Sequence, residues 1–464
     1  MSIKIFNKSK MRNKNILLKG FIVAIMAACT FSASAQQQMQ YFRQDNQHGL
    51  NVFETTKNDT TSFKKLKVKV GGNFEQSFQA LRDQNTAIAA TKTGFTGNVN
   101  SLIPLNNGFD LAMANLNIDA QLSDGIRVNL TLYLASRHHE DTWVKGGYVQ
   151  FDKLLFLHSA VIDDIMKSVT IKVGQFDVDY GDQHYQRSDG GNTIYNPFIE
   201  NYIMDEFATE IGAEVYYHHK SGLFIMGGIT NGELNPTVIA PTKNDSATGK
   251  VNVYAPAFHG KLGYDKQLSQ DFRLRVTGSV YIDQSAASNT LFGGDRTGSH
   301  YFGVMSNQNI ANGTTLNNAN DYNAFSGRYN PGFSEQVNAY MGNLFLKYKG
   351  LQFFGTYEFA QGRTITEASM RSSTQYAADL IYRFAAAKEN FWVGIRYNSV
   401  TGTLQGVPNA VTINREVGSI GWFVTKNIMI KAEYVNQDYL NYADTNILNG
   451  GKFNGVMLEA SIGF

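Results

Sequence analysis

The chain has 464 residues, with 41 Lys and Arg against 39 Asp and Glu, one cysteine, 43 glycines, 7 prolines and 12% aromatic residues. Lys4, Lys8, Lys10, Arg12, Lys14 and Lys19 crowd the first twenty positions, so the chain beyond residue 35 carries 35 basic against 39 acidic side chains, a formal charge of −4. The total of +2 therefore gives no support to a nucleic-acid partner, and a lone cysteine excludes a disulfide framework.

The basic start, the apolar run "GFIVAIMAACTF" and the small residues "ASA" read as a secretory signal over 1–35, cleaved after Ala35. Its apolar stretch is short for a spanning helix. Cys29 lies inside it; lipidation there is disfavoured by Met26 three positions earlier. Residues 36–65 read as a polar periplasmic segment, and 66–464 as one unit with no linker and no run near the roughly 20 apolar residues of a spanning helix.

From residue 66 the pattern is period two, which sends alternate side chains to opposite faces of a strand. "LKVKVGGNFEQSF" sets Val68, Val70, Gly72, Phe74 and Phe78 against Lys67, Lys69, Asn73 and Glu75. "DGIRVNLTLYLASR" sets Ile126, Val128, Leu130, Leu132 and Leu134 against Arg127, Asn129, Thr131, Tyr133 and Arg137. "DFRLRVTGSVYID" sets Phe272, Leu274, Val276, Val280 and Ile282 against Arg273, Arg275, Thr277, Ser279 and Tyr281. Sixteen such segments are expected, near 66–79, 109–122, 125–137, 143–152, 168–178, 206–218, 221–231, 254–265, 270–283, 337–348, 351–362, 374–386, 390–400, 413–424, 427–437 and 452–464.

The links between them sort by parity. "SDG", "HKSG", "DKQLSQ", "KG", "AAAKE" and "TK" are tight polar turns, with only "DKLLFLHSAVIDDIMK" longer, whereas the intervening links near 80–108, 179–205, 232–253, 284–336, 363–373, 401–412 and 438–451 are long. Short turns on one rim and long loops on the other are features of outer-membrane barrels. The fold expected is all-β: a transmembrane antiparallel β-barrel of about sixteen strands with short periplasmic turns and long extracellular loops. The ending "GVMLEASIGF" alternates into a terminal aromatic. Leu458, Ile462 and Phe464 are the candidate signal for the barrel-assembly machinery.

"VTIKVGQFDVDYGDQ", followed by "NPFIENYIMDEFATEIGAEVYY" and "GLFIMGGITNGE", resembles the phosphate-selective porin O/P-like family. Gly174, Gln175 and Phe176 match its strand-ending segment, while Asp179-Tyr180-Gly181 stands where Pro-Phe-Gly is usual. "QYFRQDNQHGLNVFET" is similar to the mature N-terminus of such porins; the resemblance covers about 140–235 and the two ends. It implies a trimer in the outer membrane of a Gram-negative bacterium whose third external loop narrows the pore. By count that loop is 179–205, with Asp182, Arg187, Asp189 and Glu200 as constriction candidates.

The pore-lining candidates are Arg127, Lys172, Arg273, Arg275, Arg383, Arg396 and Lys431 among the cations and Glu210, Glu214 and Asp379 among the anions. Glu358, Glu416, Glu433 and Glu459 are placed on the same polar face. With both signs on one wall the family's phosphate preference does not carry over. The expectation is passive diffusion of small ions or hydrophilic solutes, with a weak anion preference as its finer form. No enzyme, cofactor or metal site is expected: "DVDYGD" lacks a full calcium-loop spacing, His138-His139 and His218-His219 are neighbours on opposite strand faces, and no "GxSxG" occurs. Gly71-Gly72 and Gly227-Gly228 read as strand kinks, and Tyr382, Phe384, Phe391 and Phe464 as girdle aromatics. The alternative is a barrel whose large loop 284–336 serves binding, surface assembly or an outer-membrane enzyme.

Overall fold

The computed structural model describes residues 38–464 apart from 92, 94–96, 111–112, 136–141, 189–191, 235–236, 239–248, 250–253, 294–299, 308–309, 312–313, 316–326 and 385–387. The signal expectation for 1–35 lies outside the described residues, as do Arg137, His138, His139 and Asp189.

Sixteen long strands follow one another: β1 (Lys67–Gln84), β2 (Met113–Ser123), β3 (Ile126–Ala135), β4 (Thr142–Phe151), β5 (Val169–Asp177), β6 (Thr209–His218), β7 (Leu223–Thr230), β8 (Ala257–Gln267), β9 (Phe272–Asp283), β10 (Gln336–Tyr348), β11 (Leu351–Arg363), β12 (Arg371–Phe384), β13 (Phe391–Gly402), β14 (Val411–Thr425), β15 (Ile428–Leu440) and β16 (Lys452–Gly463). A two-residue strand, Gly108–Phe109, also joins the sheet. Each long strand pairs antiparallel with the next, and β1 pairs both with β2 (Phe74↔Ala114) and with β16 (Phe74↔Ile462), so the sheet closes. Phe464 completes the seam: its N–H donates to the Gly72 carbonyl at 3.1 Å, and the Gly72 N–H donates back at 3.0 Å. Closure leaves no unpaired edge, which is what permits a sheet to sit in lipid.

Loop lengths sort as the sequence indicated. One rim carries the tight links 124–125, 219–222, 268–271, 349–350, 385–390 and 426–427, plus 152–168 with its short helix α1 (Ala160–Met166). The other carries 85–112, 178–208, 231–256, 284–335, 364–370, 403–410 and 441–451. Among the described residues no helix is long and apolar enough to cross a membrane.

The outer face is apolar. Ile395, Leu262, Ile420, Leu458 and Val276 point away from the lumen and are exposed. Tyr382, Phe384, Phe391, Trp422 and Phe464 ring the short-turn end, where Phe391 stacks on Trp422 at 5.5 Å. Tyr340, Tyr357, Tyr376, Tyr397 and Tyr434 ring the other end. From Tyr376 to Phe384 is roughly 27 Å along a strand, or about 20 Å along the axis at a ~40° tilt, close to the apolar band of a membrane barrel. One side-chain assignment is corrected. Glu416 faces outward, beside Tyr397 and Asn436 at the outer girdle, while Arg415 and Val417 point in. The period across "INREVGSI" puts Glu416 in phase with Ile420 and Trp422, and its charge is tolerated because it lies at the rim of the band.

The interior is the second departure. The charged wall read from the sequence implies an open, diffusive lumen; instead three segments fold into it: 40–57 across the short-turn mouth, loop 178–208 through the middle, and parts of 284–335 from the long-loop side. They form an apolar core with inward wall residues. Phe198, Ile199, Ile203, Met204, Tyr301 and Phe333 pack with Val337, Ala339, Val400, Ile413 and Met457. Phe53 adds a smaller cluster with Tyr202, Phe345 and Phe354.

The lipid-facing assignment predicts that Ile395→Arg lowers folding stability in vesicles by about 2–4 kcal/mol. Urea titration followed by tryptophan fluorescence checks it; an unshifted midpoint contradicts the assignment.

Candidate functional site: the lumen and its inserted loop

Loop 178–208 leaves and re-enters the wall at one point, where the Val178 N–H donates to the Ala208 carbonyl at 3.0 Å. Between those ends its polar groups are answered by inward side chains of eight consecutive strands, beginning with Lys261 on β8, which donates to the Gly181 carbonyl at 2.7 Å and to Asp182 at 3.2 Å. On β9, Arg275 holds the Asp182 carboxylate at 2.7 and 2.8 Å, and the Thr277 hydroxyl donates to it at 2.8 Å. β10 supplies Asn343, whose Oδ1 accepts the Asp182 N–H at 3.0 Å, and β11 supplies Glu358, which accepts the Tyr180 hydroxyl at 3.0 Å. Gln375 on β12 accepts from the Met204 N–H at 3.0 Å and donates to the Met204 carbonyl at 2.7 Å. On β13, Asn398 accepts from the Ile203 N–H at 2.6 Å and Arg396 donates to the Glu200 carbonyl at 2.9 Å. Arg415 on β14 donates to the Asn201 carbonyl at 2.8 Å, and on β15 Lys431 donates to the Phe198 carbonyl at 2.8 Å while Glu433 accepts the Ile199 N–H at 2.7 Å.

Within the loop, Arg187 clamps Asp205 at 2.8–3.2 Å, and Arg328 from loop 284–335 reaches the same carboxylate at 2.8 Å. Gly181 requires its glycine: its φ is +71° and a Cβ would lie 2.3 Å from Met341 Sδ. Burial alone would raise the Asp182 carboxyl, but Arg275 and Lys261 hold it far below the usual range. Asp179 is held low against the same burial by Lys261 and His184. Glu206 goes the other way: burial, then Glu358 and Asp205, push it well above an ordinary carboxyl.

The loop leans on β8–β15 and leaves the wall of β2–β5 open. A cavity of about 240 Å³ remains there, lined by Asp119, Arg127, Lys145 and Lys172 on the wall and by Arg43, Glu54, Asp179 and His184 opposite. Arg127 donates to Asp119 at 3.1 Å and to Gln150 at 3.0 Å, and Lys172 to Glu214 at 3.1 Å. Toward the short-turn rim the cavity meets the strap 40–57. Glu54 accepts from Arg275 at 2.7 and 2.8 Å; Gln40 accepts from the Gly125 N–H at 3.0 Å; Lys57 donates to the Val169 carbonyl at 2.8 Å; Gln47 donates to the Lys388 carbonyl at 2.6 Å. The segment expected to lie in the periplasm is thus bonded across the barrel mouth.

Of the ten sequence-picked wall residues, all of which point inward, Arg127 and Lys172 line this cavity. Arg273 lies near the strap, paired with Asp265 at 2.6 Å and donating to the Asn51 carbonyl at 2.8 Å. The remaining seven are sealed under the inserted segments. Arg275, Arg396 and Lys431 hold loop 178–208; Asp379 grips Arg396 at 2.7 Å. Arg383 donates to Gln352 at 3.2 Å. Glu210 accepts from Tyr281 at 2.6 Å, and Glu214 from Tyr216 at 2.6 Å, with His259 at 3.0 Å. Of the loop candidates, Asp182 and Arg187 are structural clamps and Glu200 accepts the His300 N–H at 2.6 Å. Leu458, Ile462 and Phe464 share the outer face.

Lys261, Lys145 and Glu54 were missed. Lys261 had a signal, since it alternates with Gly260 and Leu262 in "FHGKLGYDK". Glu54 had none, because the strap has no period.

No protein-family model and no curated protein sequence matches the chain. The resemblance to the O/P-like family therefore rests on the motifs quoted above. Among solved structures the chain is similar to an anion-selective porin from Comamonas acidovorans, at 8% identity over 86% of this chain and 100% of that one, with a TM-score of 0.48. It is also similar to the outer membrane channel DcaP of Acinetobacter baumannii, at 12% identity over 86% and 98%, with a TM-score of 0.47. A third is OmpT, an outer membrane protein of Vibrio cholerae, at 10% identity over 87% and 99%, with a TM-score of 0.47.

Glu206 predicts a pH effect. A carboxyl whose folded pKa is raised is protonated in the fold, so it opposes folding increasingly as pH climbs from about 4.3, its unfolded value, through the folded one. Limited proteolysis of the loop should therefore be faster at pH 9 than at pH 6. Glu206→Gln should remove that difference and stabilise the loop at pH 9 by about 1–3 kcal/mol.

Proposed function

We propose that this chain is an outer-membrane porin of a Gram-negative bacterium, exported on a cleaved signal, and that it passes small ions or hydrophilic solutes passively along the β2–β5 wall. It is not an enzyme. The observation that carries this reading is the asymmetric lumen: loop 178–208 is bonded to β8–β15, and the ionisable cavity lies on the side it leaves open. The same residues argue for weak selectivity. Arg43, Arg127, Lys145 and Lys172 stand against Glu54, Asp119, Asp177 and Asp179 around one path, so the field along it is of mixed sign. Phosphate preference is not part of the proposal. A homotrimer and recognition by barrel-assembly machinery through Leu458, Ile462 and Phe464 belong to it.

The filled lumen favours one other reading, a closed barrel whose long loops bind a partner. Planar-bilayer recording separates the two. Wild-type protein should conduct weakly. Phe53→Ala with Glu54→Gln should raise conductance several-fold by freeing the strap from Phe345 and Arg275. Asp182→Ala added to that variant should raise it further, because it removes the second of the two carboxylates that Arg275 and Lys261 share and unties the loop from β9. Absence of conductance in all three sinks the porin reading and selects the closed barrel.

Phe464→Asp should lower the amount of folded barrel in the outer membrane while unfolded chain still reaches the periplasm, as read by heat-dependent gel mobility of each fraction. Equal membrane levels of mutant and wild type remove Phe464 from the assembly signal.

A further inference from the structure

We infer that Glu75, Glu459 and His300 form a binding site for one divalent cation of the zinc class, which ties loop 284–335 to the closing seam of the barrel. Glu75 lies on β1 and Glu459 on β16, the first and last strands of the wall. In the register Glu75↔Ser461 and Ser77↔Glu459 the two carboxylates are diagonal neighbours on the lumenal face. Such neighbours are within reach of each other, and like charges there repel. Both are buried, at 2% exposure each, and His300 is brought over them from the loop at 1%.

The three side chains are aimed at one another but do not hydrogen-bond. His300 Nε2 lies 3.6 Å from Glu75 Oε1 and 3.5 Å from Glu459 Oε2, longer than a charge-assisted hydrogen bond. One ligand atom from each lies within 4.8 Å of the other two. Ligands held tetrahedrally at about 2.0–2.2 Å from zinc stand roughly 3.3–3.6 Å apart. The two His300–carboxylate separations match edges of that polyhedron.

The unanswered atoms point the same way. Among the described residues, both oxygens of Glu75, Oε2 of Glu459 and both ring nitrogens of His300 have no hydrogen-bond partner. Buried polar groups in proteins generally find partners, and here five atoms without one converge on a single spot, which asks for a ligand. The neighbours do not supply it. Lys431 Nζ binds the other oxygen of Glu459 at 2.8 Å, which Ser461 Oγ also reaches at 2.7 Å. Glu200 is occupied with the His300 N–H at 2.6 Å, and Asp110 accepts from Ser77 at 3.3 Å. A bound cation would meet two carboxylates and a neutral imidazole, and with Lys431 counted the site would then bring it one net negative charge. One nitrogen with two carboxylate oxygens suits zinc and its first-row neighbours; calcium takes six to eight oxygens and magnesium retains its waters.

The test uses the full barrel purified in detergent, its fold verified by heat-dependent gel mobility, stripped with chelator and equilibrated with zinc chloride. Wild type should retain one zinc per chain by mass spectrometry of the metal, and zinc should raise its unfolding temperature by several degrees. His300→Ala should lose both the metal and the thermal shift. Glu75→Gln and Glu459→Gln should do the same where they fold. His300 is on a loop, so its variant decides the matter if a wall variant does not fold. His218→Ala with His219→Ala should keep the zinc. Two results overturn the site: folded wild type that retains no zinc, manganese or iron, which makes the trio an imidazolium between two carboxylates, or a His300→Ala barrel with unchanged stoichiometry, which places any metal elsewhere.

Discussion

Main-chain polar groups sealed inside the barrel must find partners there, and the rest of the lumen follows from that requirement. A loop threaded through a barrel cannot build a ladder of its own, and each buried group left unpaired costs about 1–3 kcal/mol. Here the wall replaces the ladder. Arg396, Arg415 and Lys431 donate to the carbonyls of residues 198–201, while Glu433, Asn398 and Gln375 accept from the N–H groups of 199–204. The inner face of β12–β15 carries these polar groups because it is the hydrogen-bonding surface for one loop, with Val400 and Ile413 packed among them.

That changes what the mixed charges mean. A file of buried Arg and Lys beside Asp and Glu reads as a selectivity field when the lumen is taken as watered. Once the lumen is filled, each charge must be paired where it stands, since an uncompensated buried ion costs several kcal/mol. Asp379 with Arg396, Asp205 with Arg187 and Asp182 with Arg275 and Lys261 meet that demand. The charges left beside open space are those of β2–β5, the strap and the edge of the loop at Asp179.

The wall was legible in the sequence and the filling was not. Alternation is a local property of consecutive residues, so the sixteen strands, their inward sets and the sorting of turns could all be read from "DFRLRVTGSVYID" and its counterparts. Glu416 shows the limit of that reading. An acid was taken for the wet face because of its charge, while the period of its own strand placed it with Ile420 and Trp422. The loop is a different case. Its place in chain order identified it, but Ile199, Ile203 and Met204 facing Val400 and Ile413 is a packing fact between distant segments, and no periodicity encodes it. The inward apolar residues of β10, β13 and β14 were hidden by the same cause: they look like ordinary strand residues until something is packed on them.

Chain order also sets when the filling can form. The Asp182–Asn343 bond spans 161 residues, Lys431–Asn196 spans 235, and Gln47–Lys388 ties the strap to a turn 341 residues on. None of these partners exists in place until β10, the β12–β13 turn and β15 have joined the sheet, so loop and strap are docked after the wall. Loop-closure entropy grows only with the logarithm of length, so these separations delay docking far more than they weaken it. The docked segments then form a layer that can open without breaking the wall's ladder, because they hold it mainly through side chains, the Gln47 N–H on the Lys426 carbonyl of a turn being a main-chain exception. A lower local stability than that of the sheet follows. In a barrel whose path lies between that layer and β2–β5, the stability of the layer and the width of the path are one quantity. On the porin reading, the ion pairs that bury the wall's charges are therefore also what would hold the proposed path narrow.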